Sequence, residues 1–158
     1  MYKKISFILA SVFGVGYCPF ASGTAGSLVT IPLAFFCAYN YGVYGILFAT
    51  IISFFIGVIA SKEVLKYTKH DPSLIVIDEV SGQLLTFAFV ADKLQNTTEN
   101  LWLYLVGFIL FRIFDITKPQ PVRFADKKIS NAWGVMLDDI LAGLYAAAIL
   151  YAIILCKI

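Results

Sequence analysis

The chain has 158 residues, 60% of them hydrophobic and only 14% charged, with a mean hydropathy of +0.85. An ordinary soluble domain carries roughly 25% charged residues, so a water-soluble enzyme is excluded and the bilayer is the expected solvent. The formal net charge is +2, with basic residues spread among acidic ones and no aromatic-interleaved basic face, which speaks against nucleic acid as a partner.

Lys3 and Lys4 precede the apolar run Ile5 to Phe13, an arrangement shared with signal peptides. Gly14 to Ser27 lacks a small-x-small cleavage site followed by a polar start, and a further membrane segment comes next. Tyr17 before Cys18 is also wrong for a lipoprotein signal. The first segment is therefore predicted to stay, partly inserted or lying in the interface. Cys18, Cys37 and Cys156 have neither metal nor disulfide spacing and read as reduced packing residues.

From Ile5 to Ser61 there are 57 residues without Asp, Glu, Lys, Arg or His, room for two crossings and a turn. Charge and turn residues delimit apolar stretches at Gly26 to Tyr39, Val43 to Ala60, Val80 to Ala91, Leu101 to Phe114 and Ile140 to Cys156. Several are shorter than the roughly 20 residues of a spanning helix, and short helices that end in charge often surround a polar site. With all five crossing and the N-terminus inside, ten of the 12 basic residues become cytoplasmic and only Lys93 and Lys157 do not. Short loops obeying the positive-inside rule show that asymmetry. The expected architecture is all-α: a polytopic helical bundle of about five transmembrane helices plus the N-terminal segment, forming a single domain over residues 1–158.

Ten acidic residues remain, eight of them on the same side, and five stand at span ends: Asp78, Glu79, Asp115, Asp138 and Asp139. A carboxylate at mid-membrane costs roughly 3 kcal/mol even on lenient scales, so these belong at the interface or in pairs. Asp78 and Asp138 each precede an apolar run and read as helix N-caps. One cap per helix does not require Glu79 and Asp139 as well, although a first turn favours acids. Ile77-Asp78-Glu79-Val80 is faintly echoed by Leu137-Asp138-Asp139-Ile140. Asp115 ends an apolar run, where the helix dipole opposes an anion, so it is either neutralised by Arg112 three residues earlier or shared with a cation. Oxygen ligands without His or Cys favour magnesium, one or two ions, with manganese as a substitute.

Beyond Asp115, Pro119 and Pro121 stop the helix and stiffen a loop that carries Lys118 and Arg123 beside the carboxylates. Fixed cations next to metal-binding acids suit a phosphate group. Nearer the N-terminus, Pro19 to Ser27 is a small-residue loop opening a membrane helix. Its backbone amides, with Gly23 for close approach and the hydroxyls of Thr24 and Ser27, form a second candidate anion site.

Four segments, GTAGSL (Gly23 to Leu28), Asp78-Glu79 with Gly82, FRIFDITKPQP (Phe111 to Pro121) with Arg123, and GVMLDDILAG (Gly134 to Gly143), resemble the signature blocks of the phosphatidylglycerophosphatase A family. Ser22 stands where proline is expected, and Gln120 where an aromatic is usual between the two prolines. The resemblance implies a magnesium-dependent integral membrane phosphatase in the bacterial cytoplasmic membrane. It would remove the terminal phosphate of phosphatidylglycerophosphate at a site on the cytoplasmic face. Asp78, Glu79, Asp115, Asp138 and Asp139 would hold metal, with Asp115, Asp139 and Lys118 catalytic and Gly23, Thr24, Ser27, Lys118 and Arg123 at the phosphate. Rival lipid-phosphate chemistries lack their residues: phosphohistidine enzymes need a His in each of two motifs and this chain has only His70, and neither the paired-Asp motif of CDP-alcohol transferases nor a DxD nucleophile is present. A small divalent-cation transporter is the alternative, and it predicts ionisable residues at mid-membrane or on both faces.

Overall fold

The computed structural model describes residues 2–68, 73–95 and 97–156, without the side chains of residues 97–99. Lys69, Asp71 and Lys157, which entered the charge count, lie outside the described residues, as does His70. Seven α-helices are described: α1 (Tyr2–Ala10), α2 (Ser22–Val64), α3 (Ile77–Thr86), α4 (Ala91–Leu94), α5 (Thr97–Thr117), α6 (Val122–Lys128) and α7 (Ala132–Cys156). Short 3-10 turns occupy Val15–Tyr17 and Ala88–Val90, and no strand occurs among the described residues.

Three helices are long and apolar enough to cross a membrane: Ser22–Val64, Asn100–Thr117 and Ala132–Cys156. The first is 43 residues long and is not straight, because Gly42 leaves helical geometry at φ 58°, ψ −144°. That conformation is open to glycine and costly for any residue with a Cβ. The two arms of α2 fold back on each other there. Gly26 in one arm lies against Val76 and Gly57 in the other against Ile77, while Gly42 lies at the opposite end beside Gln95 and Asp92. The apolar stretches expected at Gly26 to Tyr39 and Val43 to Ala60 are these two arms, each of about 20 residues and so about 30 Å long.

The stretch expected at Val80 to Ala91 is not one apolar helix. α3 ends at Thr86 and the chain continues through the 3-10 turn into the single turn of α4. This segment is the hub of the molecule: Ile77, Val80, Ser81, Leu84, Phe87 and Leu94 are buried, sheltered between both arms of α2 on one side and α7 on the other. Burial in protein satisfies a broken helix that lipid would not tolerate. Contact between α3 and α7 is set by two glycines. A Cβ on Gly143 would fall 2.4 Å from the Gly82 carbonyl oxygen, and one on Gly82 would fall 2.4 Å from that of Asp139. Small residues let the two backbones approach this closely.

α1 is nine residues long, too short to cross. It lies along the second arm of α2 and is tied to the entry of α3 by Val76 N–H donating to the Ala10 carbonyl at 2.9 Å. Its outer face exposes Ile5 and Ile8. Of the cysteines only Cys37 is buried; Cys18 and Cys156 are exposed, so the packing role read from the sequence holds for one of the three.

Candidate active site

The end of the bundle where α3 begins gathers the chemistry. α3 brings Asp78 and Glu79 in its first turn, α5 brings Arg112 and Asp115 near its end, and α7 brings Asp138 and Asp139 from its second turn. A cavity of about 220 Å³ opens among them, lined by all five carboxylates together with Ser22, Ser73, Ile75 and Lys118. It is several times the roughly 30 Å³ share of a water molecule.

The capping expectation fails at both acidic pairs. Val76 is the N-cap of α3 and Asp78 already lies inside the helix. α7 starts six residues before Asp138, and its start is capped by Asn131, whose Oδ1 accepts from the backbone N–H of Trp133 at 2.9 Å and of Gly134 at 3.4 Å. The apolar run from Ile140 therefore marked the lipid-facing part of α7 and not its beginning. Asp78 and Asp138 are 7% and 6% exposed. Helix-end electrostatics thus leaves Asp138 and Asp139 as unexplained as it left Asp115.

The five acids fall into two sets. Asp78, Glu79 and Asp139 each offer a carboxylate oxygen within 4.8 Å of the others. The other two are paired with cations: Asp115 Oδ2 receives Arg112 Nη1 at 2.8 Å, and Asp138 Oδ2 receives Lys118 Nζ at 2.7 Å. Arg112 also faces Glu79 Oε1 at 4.0 Å and donates to Ser27 Oγ at 3.5 Å. Glu79 Oε2 and Arg112 Nε are buried without a hydrogen-bond partner among the described residues. A buried orphan oxygen beside two further carboxylates is an arrangement that a bound hard cation would satisfy.

Lys118 sits in the left-handed region at φ 45°, a conformation that costs a non-glycine residue roughly 1–2 kcal/mol. Its ammonium is held at both sides, donating to Asp138 and to Asp126 Oδ1 at 2.6 Å. Burial works against the charge, but the hydrogen bonds and charges of Asp126 and Asp138 outweigh it and raise the Lys118 pKa above the ordinary lysine value. Lys118 is therefore a fixed, permanently charged donor at the cavity wall.

At the start of α2, where the sequence predicts an anion site, the residues lie apart. A Cβ on Gly23 would stand 2.2 Å from Glu79 Oε1 and 3.1 Å from Arg112 Nη1, so this glycine permits α2 to pack against the acidic site. Ser27 is fully buried and its hydroxyl donates to the Gly23 carbonyl at 2.9 Å, which leaves its oxygen to support Arg112. Thr24 lines a neighbouring apolar groove, and Arg123 is exposed on α6; neither they nor Ser27 line the acidic cavity. Sequence reading missed Asp126 and Ser22 and treated Arg112 only as a neutraliser of Asp115. Arg112 lies within the FRIFDITKPQP block, a signal that could have been used; Asp126 had none.

Comparison with known proteins assigns this arrangement to a family. The chain is 36% identical over 157 residues to phosphatidylglycerophosphatase A of Haemophilus influenzae, covering 96% of this chain and 93% of that protein. It is 35% identical over 149 residues to the Escherichia coli protein of the same name, covering 92% of this chain and 81% of that one. A protein of Bacteroides thetaiotaomicron, provisionally named a phosphatidylinositol-3-phosphatase, is 34% identical over 151 residues, covering 91% and 92% of the two chains. No solved structure matches. The family model described as phosphatidylglycerophosphatase A matches residues 8–154, and with that coverage this chain, a phosphatase, belongs to the phosphatidylglycerophosphatase A family.

Proposed function

We propose that the protein is a magnesium-dependent phosphatase that hydrolyses the terminal phosphate monoester of phosphatidylglycerophosphate to phosphatidylglycerol and phosphate. The observation that carries this reading is the division of the five acids, three of them mutually adjacent and two fixed by Arg112 and Lys118 at the wall of one cavity. Asp78, Glu79 and Asp139 would hold Mg²⁺, with Mn²⁺ as a substitute, and Asp115 and Asp138 stand beside them for a second ion. Bound there, the metal supplies positive charge that polarises the phosphoryl oxygens.

The chain's own residues supply the rest of the chemistry. Lys118 donates to the non-bridging oxygens of the phosphate, and its double anchorage keeps the ammonium from collapsing onto one partner. Ser22, at the start of α2, lines the same cavity and would donate to the same anion. Asp115, held in place by its ion pair with Arg112, orients the attacking water and accepts its proton. Phosphate monoesters are among the slowest reactions in water, with accelerations of up to about 10²¹, and preorganised charge in a sheltered cavity is the means to such a rate. Arg123 takes no part in this cavity and is left as a surface cation.

The reading extends to topology. The two arms of α2, the α3–α4 segment, α5 and α7 make five passes in a single domain of the bacterial cytoplasmic membrane, with the N-terminus and the site on the cytoplasmic face. Lys62, Lys66, Lys118, Lys127 and Lys128 share the site's end of the bundle and Lys93 lies at the Gly42 end, as the positive-inside rule requires. The transporter alternative is not favoured: the carboxylates collect at one end, and the family is one of phosphatases. The deciding experiment is phosphate release from phosphatidylglycerophosphate by the purified protein with Mg²⁺ and with EDTA. Release that depends on Mg²⁺ supports the reading, and full activity in EDTA overturns the metal assignment. Cysteines placed at Lys127 or Lys128 in a cysteine-free background should resist labelling from outside intact cells.

A further inference from the structure

Beside the acidic cavity, on the outer side of α5, lies an apolar groove of about 370 Å³ between α5 and the start of α2. Ile109, Ile113 and Ile116 recur at helical spacing along its wall and are 46%, 47% and 69% exposed, so the groove opens sideways out of the bundle. Phe108 and Thr24 complete its sides. Arg112 belongs to the same helical stripe and closes the inner end, with its guanidinium reaching Asp115 and Glu79 in the cavity and its Nε buried without a partner among the described residues. One arginine thus forms the boundary between an apolar channel and an acidic phosphate site. Gly23 keeps that boundary thin, since any side chain there would strike Glu79 and Arg112.

We propose that this groove is the acyl-chain subsite of the enzyme: a diacyl phosphomonoester lipid enters laterally past α5, with the first methylenes of one chain against Ile109, Ile113 and Ile116 while its phosphate occupies the acidic cavity. The proposal rests on the phosphatase reading of that cavity and adds the route and the lipid contact. An apolar wall selects for chain, and a cation at its inner end selects for a molecule whose anionic part begins where the chain stops. A groove that served only to pack α5 against lipid would have no reason to end on the residue that orders Asp115.

The test compares a long-chain and a dibutanoyl phosphatidylglycerophosphate as substrates of the full-length protein in mixed micelles. Ile113→Trp and Ile109→Trp fill the groove, and each should lower the ratio of kcat/KM for the long over the short substrate about tenfold, through KM. Leu105→Trp, an exposed position of α5 outside the groove, should leave the ratio as in the wild type. Equal ratios for all three variants, or parallel loss on both substrates, would overturn the subsite. Failure of the wild type on every phosphomonoester would instead sink the phosphatase reading. The groove is then read without turnover, by crosslinking a phosphatidic acid with a diazirine in one acyl chain: adducts concentrated between Phe108 and Ile116 uphold it, and adducts spread evenly over the bundle overturn it.

Discussion

Two short acidic segments, Ile77-Asp78-Glu79-Val80 on α3 and Leu137-Asp138-Asp139-Ile140 on α7, look like copies of each other in sequence but are used differently. On α3 the acids occupy the first turn, where the helix dipole favours negative charge; on α7 they lie a turn further in, where that help has faded. Each segment has a glycine one turn after one of its acids, Gly82 after Asp78 and Gly143 after Asp139. Residues four apart share a helix face, so when the two glycines meet, Asp78 and Asp139 are brought together as well. Glu79 joins them while also facing Arg112, and only Asp138 turns away, to Lys118. The first acid of one pair therefore works with the second acid of the other. Contact register, not position within the motif, decides which carboxylates share a site.

The largest test of that asymmetry is charge removal. Asp78→Asn and Asp139→Asn should each lower phosphate release by roughly 10³-fold, the scale of losing one preorganised electrostatic contact, while melting temperature holds or rises as like charges are relieved. Asp138→Asn should lose less, because Lys118 keeps Asp126. A more damaging Asp138→Asn than Asp139→Asn would reverse the comparison.

Next in size is the glycine contact itself. Gly82→Ala or Gly143→Ala places a methyl 2.4 Å from an opposing backbone oxygen, and a backbone cannot swing aside as a side chain can. Each should cost about 1–3 kcal/mol by overpacking, read as a lower melting temperature in detergent, with Mg²⁺ dependence weakened in the surviving folded fraction. Unchanged metal dependence would show that the glycines pack the helices without setting the carboxylate register.

Smaller effects separate capping from site roles on α7. Asn131→Ala should lower stability by about 1 kcal/mol through the lost cap, whereas Asp138→Ala should show no capping loss. Smallest is Asp126→Asn, which removes a partly exposed ion pair and should change stability by at most about 1 kcal/mol. Its mark should be a higher KM, since Lys118 would lose one of the two contacts that position it. A melting temperature unchanged by Asn131→Ala would remove Asn131 as the cap.

Much of the site was legible because its residues are hard to explain otherwise in an apolar chain. A carboxylate at the end of a membrane helix is costly enough to need a partner, and the five acids so marked all line one cavity, with Lys118 among them. The hydroxyls of Thr24 and Ser27 were less legible. A Ser or Thr in a membrane helix can satisfy itself on the carbonyl four residues back, as Ser27 does on Gly23 and Thr30 on Gly26, and nothing in the local sequence distinguishes that from a ligand contact. The capping assignments failed for a related reason: an apolar run marks where a helix enters lipid, while its first turns can be polar and buried in protein.

By itself, the sequence determined that this is an all-helical membrane protein with its charge gathered at one end, because burial of apolar surface and exclusion of charge from lipid act on composition and spacing alone. It also determined where the acids and cations stand along the chain. The two crossings and the turn between them were legible too, but only the tertiary structure decided that α3 is a sheltered hub and not a lipid-facing span, and which acids face each other or a cation. Those outcomes depend on how closely helices distant in sequence can approach, and that distance is set by the backbone contacts at Gly82 and Gly143, which no local periodicity records.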